Sequence, residues 1–338
     1  MARHWISLPE RMNALEINAL HKTHRSSVRL RGLGVVVSLA VAAAAIFLLT
    51  HALKKVNFDE VWAIVERTNT GVIALAMALV VLSYASVSLY DLFALRTIGR
   101  SEVPYRIAAL ASFTSYPIAH GIGAVALISP IIRYRIYSYN GLGAADVANI
   151  CFLTGLTFWL GNLTALGLSL SYEPDAIGLM EYLPPQFNRV VAVTLLLAIG
   201  AFVTWSWISP RHLGTRRWPV RLPTGPMVLV QIAIGFLDLG AAALAMYVLI
   251  PSAMNIDIFR MITVFIAATL LGFASHAPAG LGVFDAAILL GLGGDNEEPL
   301  IAALLMFRFL YHFLPFVTAL ILFGTIEAWR GFRAKHQS

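Results

Sequence analysis

Charge is scarce in this chain. Of its 338 residues 12% are charged and 59% are hydrophobic, with a mean hydropathy of +0.76. Soluble domains carry about 25% charged residues, so a water-soluble fold is excluded. Cysteine is scarcer still. Cys151 stands alone, which excludes a disulfide framework and a multi-cysteine metal site; it reads as a small apolar residue within a helix. Catalytic signatures are missing as well. There is no G-x-x-x-x-G-K-[ST], hence no P-loop ATPase, and no H-E-x-x-H, C-x-x-C or G-x-S-x-G. Gly32-Leu-Gly34 opens an apolar span and is no dinucleotide fingerprint. The loops are too short to hold a soluble catalytic domain. No enzymatic activity, catalytic residue, metal or cofactor is therefore expected. The net charge of +6 calls for no nucleic acid, because lysine and arginine in a membrane protein report orientation first. The first 31 residues contain no secretory signal core.

What is abundant is long apolar runs, the mark of helical rather than barrel spans. Six stretches predict full crossings: 32–53, 71–95, 145–171, 189–208, 225–251 and 299–327. Two further apolar regions are interrupted. Region 107–132 contains Pro117, Gly121, Gly123 and Pro130; region 258–293 contains Pro278, Gly280 and Gly282.

Basic residues decide how these two are counted. If each enters and leaves on one side, 18 of the 24 basic residues fall in cytoplasmic segments. These are the N-terminal tail, 96–106, 129–144, 209–224 and the C-terminus. The outside loops are then mostly acidic. If both regions crossed once, the arginine-rich 209–224 loop would move outside. The expected fold is thus an all-α polytopic membrane protein with six full spans and two re-entrant hairpins, both termini cytoplasmic.

The same count predicts an inverted repeat. Starts at 32, 71 and 145 recur at 189, 225 and 299, an offset of about 155. Ser115-Tyr-Pro-Ile-Ala-His-Gly-Ile-Gly123 also resembles Ser275-His-Ala-Pro-Ala-Gly-Leu-Gly282. Residues 32–171 form the first membrane repeat and 189–327 the second. Residues 1–31 form a basic tail, with Leu8, Met12, Leu15 and Ala19 on one face as in a surface helix, and 328–338 a second basic tail. Paired Gly/Pro-interrupted segments in two inverted halves point to a transporter's midplane site. The expected tips carry Pro117, His120, Gly121 and Gly123 in one hairpin, and His276, Pro278, Gly280 and Gly282 in the other.

Ionisable groups at membrane depth are functional candidates. Here they are Asp91, Asp238, Asp285, Arg260, Arg308 and His312, the last two sharing a helical face by their i,i+4 spacing. Arg308 is the candidate phosphate holder through its planar fork. Asp238 and Asp285 tune charge or hold an amine, or pair with Arg308 within the protein.

Two motifs carry a resemblance. Ile132-Arg-Tyr-Arg-Ile-Tyr-Ser-Tyr-Asn-Gly-Leu142 and Ala277-Pro-Ala-Gly-Leu-Gly-Val-Phe-Asp285 resemble the membrane region of the lysylphosphatidylglycerol synthase, or multiple peptide resistance factor, family. The resemblance spans roughly residues 30–330. In that family the second motif reads Pro-Gly-Gly-Leu-Gly followed by a glutamate; here Ala279 replaces a glycine and Asp285 stands near the acid's place. The resemblance implies lipid flipping, with headgroup synthesis assigned to a separate domain that this chain is expected to lack. It predicts a bacterial inner-membrane flippase moving a phospholipid, aminoacylated phosphatidylglycerol or another anionic lipid, with Arg133 and Arg135 gathering headgroups at the cytoplasmic mouth. A proton-coupled carrier of small solutes and a non-transporting partner of a separate lipid-modifying enzyme are the rival readings. A homo-oligomer is compatible with either.

Overall fold

A computed structural model describes residues 66–172, 185–208, 212–215, 218–293 and 298–336. The expected first span, 32–53, and the N-terminal tail lie outside the described residues. The fold is helical. Helix α1 (Thr70–Thr97) is followed by α2 (Tyr105–Ile122), α3 (Val125–Tyr137) and α4 (Ala144–Tyr172). Then come α5 (Pro185–Ile208), α6 (Gly225–Leu249), α7 (Ile258–Ala274) and α8 (Val283–Leu292). Helices α9 (Glu298–Phe307) and α10 (Leu314–His336) are joined by a π-helical turn, Arg308–Phe313. One amendment to the all-α expectation lies in the 209–224 loop, where His212–Thr215 and Trp218–Arg221 pair as an antiparallel ribbon.

Among the described residues five helices are long and apolar enough to cross a membrane: Thr70–Thr97, Ala144–Tyr172, Gln186–Ile208, Gly225–Leu249 and the continuous Glu298–Phe332. Their starts follow local chemistry. Asn69 accepts from the Gly71 amide at the head of α1, and Asp257 accepts from Phe259 and Arg260 at the head of α7, satisfying donors that the first helical turn leaves open.

Both interrupted regions are helix–break–helix hairpins. In the first, α2 ends at Gly123, whose φ of +80° puts it in the left-handed region while its amide bonds back to Ala119 and His120; glycine occupies this conformation without steric cost. Helix α3 then returns alongside α2. Ala108 near the start of α2 shares a buried cluster with Ile136 and Tyr137 at the end of α3. In the second, α7 and α8 lie antiparallel. The guanidinium of Arg260, in the first turn of α7, donates to the Gly291 carbonyl at the end of α8, at 3.1 and 2.9 Å. The break carries four residues with positive φ: His276, Ala279, Gly280 and Gly282.

One boundary differs from expectation. Helix α3 runs to Tyr137, so Arg133 and Arg135 are helical rather than in a loop beginning at 129. Pro117 and Pro130 lie inside α2 and α3 and break neither. A proline removes one donor from a helix, and neighbouring structure can absorb that loss within a membrane.

The core forms around α1 and α6, which pack against each other along their length, with α4 crossing α6. That crossing is close. A Cβ on Gly161 would lie 2.6 Å from the Gly235 Cα, the small-residue contact that lets membrane helices approach.

Candidate functional site

The two hairpin tips meet. A Cβ on Gly123 would stand 2.7 Å from the His276 carbonyl oxygen and 2.9 Å from the Pro278 nitrogen. Glycine at 123 is thus required twice, by its φ and by the backbone pressed against it. Gly121, two residues earlier, is covered by the Phe316 ring of α10. Beside this contact lies a small, partly open cavity of about 90 Å³. Both tips line it, through His120 and Gly123 on one side and His276, Ala277, Ala279 and Gly280 on the other. Aromatic faces make much of the remaining wall: Phe158, Phe265, Phe273, Phe284 and Phe307.

The carboxylate of Asp238 also faces this cavity. It is 5% exposed. Ser83 Oγ donates to its Oδ1 at 2.5 Å and Tyr90 Oη donates to its Oδ2 at 2.9 Å. Ser83 also shares a hydrogen bond of 3.0 Å with the Tyr311 hydroxyl, in which either atom can donate. Among the described residues no lysine, arginine or histidine lies within ion-pair distance of Asp238.

The other two aspartates at depth each hold an arginine. Asp285, in the first turn of α8, takes both arms of the Arg308 fork, at 2.5 Å from Nε and 2.6 Å from Nη2. A third Arg308 donor reaches the Ala279 carbonyl at 3.3 Å, and the Gly282 amide donates to Asp285 at 2.9 Å. This pair therefore fastens the second tip to the π-helical turn, and the guanidinium lies over the Phe284 ring. Asp91, wholly buried in α1, is bonded by Arg133 Nε and Nη2 and by Tyr137 Oη, while Ser129 accepts from Arg133. This pair fastens the first hairpin to α1.

The remaining sequence candidates fall in different places. Arg133 is 4% exposed and its fork is occupied, and Arg135 is paired to Glu327 of α10 at 2.7 Å. Neither stands free at a cytoplasmic mouth. Arg260 closes the second hairpin. His120 packs against Tyr116 with the rings tilted and their centroids 4.1 Å apart, and His276 bonds its own loop at Ala274. His312 lines the cavity with Nδ1 buried and without a partner among the described residues. Arg308 does not line the cavity, although it and His312 both lie against the Phe284 ring. Pro117 sits inside α2, six residues before the break.

No protein-family model matches the chain. It is 28% identical over 303 residues to inner membrane protein YbhN of Escherichia coli, an alignment covering 87% of this chain and 93% of that protein. It is also 27% identical over 308 residues to phosphatidylglycerol lysyltransferase of Staphylococcus haemolyticus, covering 83% of this chain but 33% of the enzyme. The corresponding enzyme of Staphylococcus aureus is 26% identical over 258 residues, covering 72% of this chain and 28% of the enzyme. The chain thus matches one inner-membrane protein nearly end to end and about a third of a lysyltransferase.

Several site residues were not singled out from the sequence. Ser83, Tyr90 and Tyr311 bind or extend the Asp238 cluster, and Asn162 lines the cavity with a buried Oδ1 that has no partner among the described residues. The signal available was their polarity in the middle of apolar runs.

Proposed function

We propose that this chain is a lipid flippase of a bacterial inner membrane. It moves a phospholipid headgroup past the meeting point of the two hairpin tips while the acyl chains stay in lipid, without ATP hydrolysis or other catalysis. The observation that carries this reading is the contact of the tips beside a cavity that holds a buried carboxylate. Broken helices meeting at such a site are how secondary transporters build a binding site at depth, because irregular backbone survives there only inside protein or along a wet cavity. The likeness to YbhN supports the inner-membrane placement, and the partial likeness to phosphatidylglycerol lysyltransferases supports phospholipid as the substrate class.

In this reading the chain has six spans, the first within residues 32–53, and two re-entrant hairpins related by an inverted repeat, with both termini cytoplasmic. The pattern long helix, hairpin, long helix occurs over 70–172 and again over 225–336, at the offset of about 155 expected from the sequence. Ser83 and Asp238, which bond to each other, are 155 residues apart. That separation supports their being counterparts facing each other across the repeat. Arg308 takes lipid phosphate only by exchanging it for Asp285, so headgroup entry loosens the second tip. Aminoacylated phosphatidylglycerol and other anionic phospholipids remain the headgroup classes to compare.

The test is reconstitution into vesicles with fluorescent phospholipids of different headgroups, following outer-leaflet accessibility for the parent and for Arg308→Ala. The parent accelerates exchange of at least one headgroup over empty vesicles, and the variant loses most of that gain. No acceleration for any headgroup sinks the reading. Uptake of a small solute without any lipid requirement, or co-purification with a lipid-modifying enzyme in place of transport, would put one of the rival readings in its place.

A further inference from the structure

We infer that Asp238 is the proton-carrying residue of the transport cycle, reached from the cavity through the hydroxyls of Tyr311 and Ser83. This rests on the transport reading above and names what couples to it.

The argument starts from an imbalance. Three aspartates lie at depth among the described residues. Asp91 is held by Arg133 and Asp285 by Arg308, so each of those sites is close to neutral when both partners are ionised. Among the described residues Asp238 has two hydroxyl donors and no cation. An ionised carboxylate left unpaired in apolar surroundings is costly, and a proton removes that cost. The surroundings offer a route for it. Tyr311 lines the cavity, its hydroxyl meets Ser83 Oγ at 3.0 Å with either atom able to donate, and Ser83 meets Asp238 Oδ1 at 2.5 Å. One proton passes without redox chemistry. The Ser83 O–H breaks as the Oδ1–H bond forms, Ser83 regains a proton from Tyr311, and Tyr311 regains one from the cavity.

Among the described residues the groups facing Asp238 add no fixed cation. Helix α1 presents Tyr84 and Tyr90, and α2 presents Tyr116 and His120. The second tip contributes His276 to the cavity and the π-helical turn contributes Tyr311 and His312. Helices α4, α7 and α9 line it with uncharged side chains alone, Asn162 and Thr269 being the polar ones. The buried atoms Asn162 Oδ1 and His312 Nδ1, without partners among the described residues, mark a polar space beside the carboxylate, and such groups in native proteins call for water or a ligand.

The experiment uses the full chain in vesicles with a fluorescent phospholipid, with a pH gradient imposed or collapsed by a protonophore. In the parent the gradient changes the transport rate several-fold. In Asp238→Asn the rate is the same with and without it, and Ser83→Ala combined with Tyr311→Phe weakens the response. Glu102→Gln, at an exposed loop, behaves as the parent. Equal parent rates with and without the gradient overturn the proton assignment and leave lipid transport standing. If no lipid moves under any condition the transport reading fails, and infrared titration then judges the carboxyl alone. A protonated-carboxyl C=O band that titrates in the parent and vanishes in Asp238→Asn is the expected result. A parent spectrum unchanged by that substitution at every pH overturns the assignment.

Discussion

Gly123 presses its backbone against His276. The contact joins two hairpins about 150 residues apart in sequence, and a side chain at 123 would stand 2.7 Å from the His276 carbonyl oxygen. Replacing Gly123 by alanine is expected to part the tips and abolish most transport. A left-handed φ alone costs a non-glycine residue about 1–2 kcal/mol, so a control is needed. Gly141 has a φ of +77° and nothing within 4 Å of its added Cβ. Gly141→Ala should lower thermal stability slightly and leave transport close to the parent's. Rates and unfolding temperatures of the two variants separate tip contact from backbone strain.

Asp91 and Arg133 form a buried pair whose members depend on each other. Breaking such a pair by removing one partner costs about 3–5 kcal/mol, whereas replacing both by apolar residues can be close to neutral. Asp91→Asn is therefore expected to destabilise strongly, and Asp91→Leu combined with Arg133→Met to recover most of the loss. Unfolding followed in detergent checks this. Equal destabilisation by the single and double variants would contradict it.

The α4–α6 crossing leaves no room at Gly161. Gly161→Leu should cost about 1–3 kcal/mol or more through overpacking, because the group it meets is the Gly235 backbone rather than a movable side chain. Gly155, on the same helix with open space around it, should accept alanine without loss. The same unfolding measurement compares them.

Arg308 and Asp285 act as one unit at the second tip. Arg308→Lys keeps the charge but loses the two-armed fork, so transport should fall well below the parent yet stay above Arg308→Ala. In a double-mutant cycle the losses from Arg308→Ala and Asp285→Asn should not add, since either one releases the same tip. Additive losses would mean that the two residues serve separate steps.

Much of this arrangement was legible because glycine and proline mark broken helices whatever surrounds them. The hairpin arms expected over 107–132 and 258–293 appear as α2–α3 and α7–α8, and the second is bounded within a residue of its expected limits. The roles of Arg133 and Arg135 were not legible. Both sit in a basic motif that reads as a loop, but α3 continues through them to pair with Asp91 and Glu327, residues 42 and 192 positions away. Pairing at such distances is set by helix packing, to which local pattern is blind. For the same reason Arg308 could be assigned from sequence to Asp238 or to Asp285 equally well, and only the fold separates them. Ser83 gives no local signal because serine and threonine hydroxyls within an apolar helix usually bond their own backbone, as Thr157 and Thr164 do here.

The central claim is that lipid passes where the tips touch, and a reversible lock tests it most directly. In a Cys151→Ser background, cysteines at Ala124 and Ala277 flank the Gly123 contact, where the Ala277 carbonyl carbon lies 3.1 Å from the added Cβ. A short cleavable thiol cross-linker between them should stop fluorescent phospholipid exchange in reconstituted vesicles, and cleaving it should restore the rate. Exchange that continues at the same rate in the fully cross-linked protein would contradict the account.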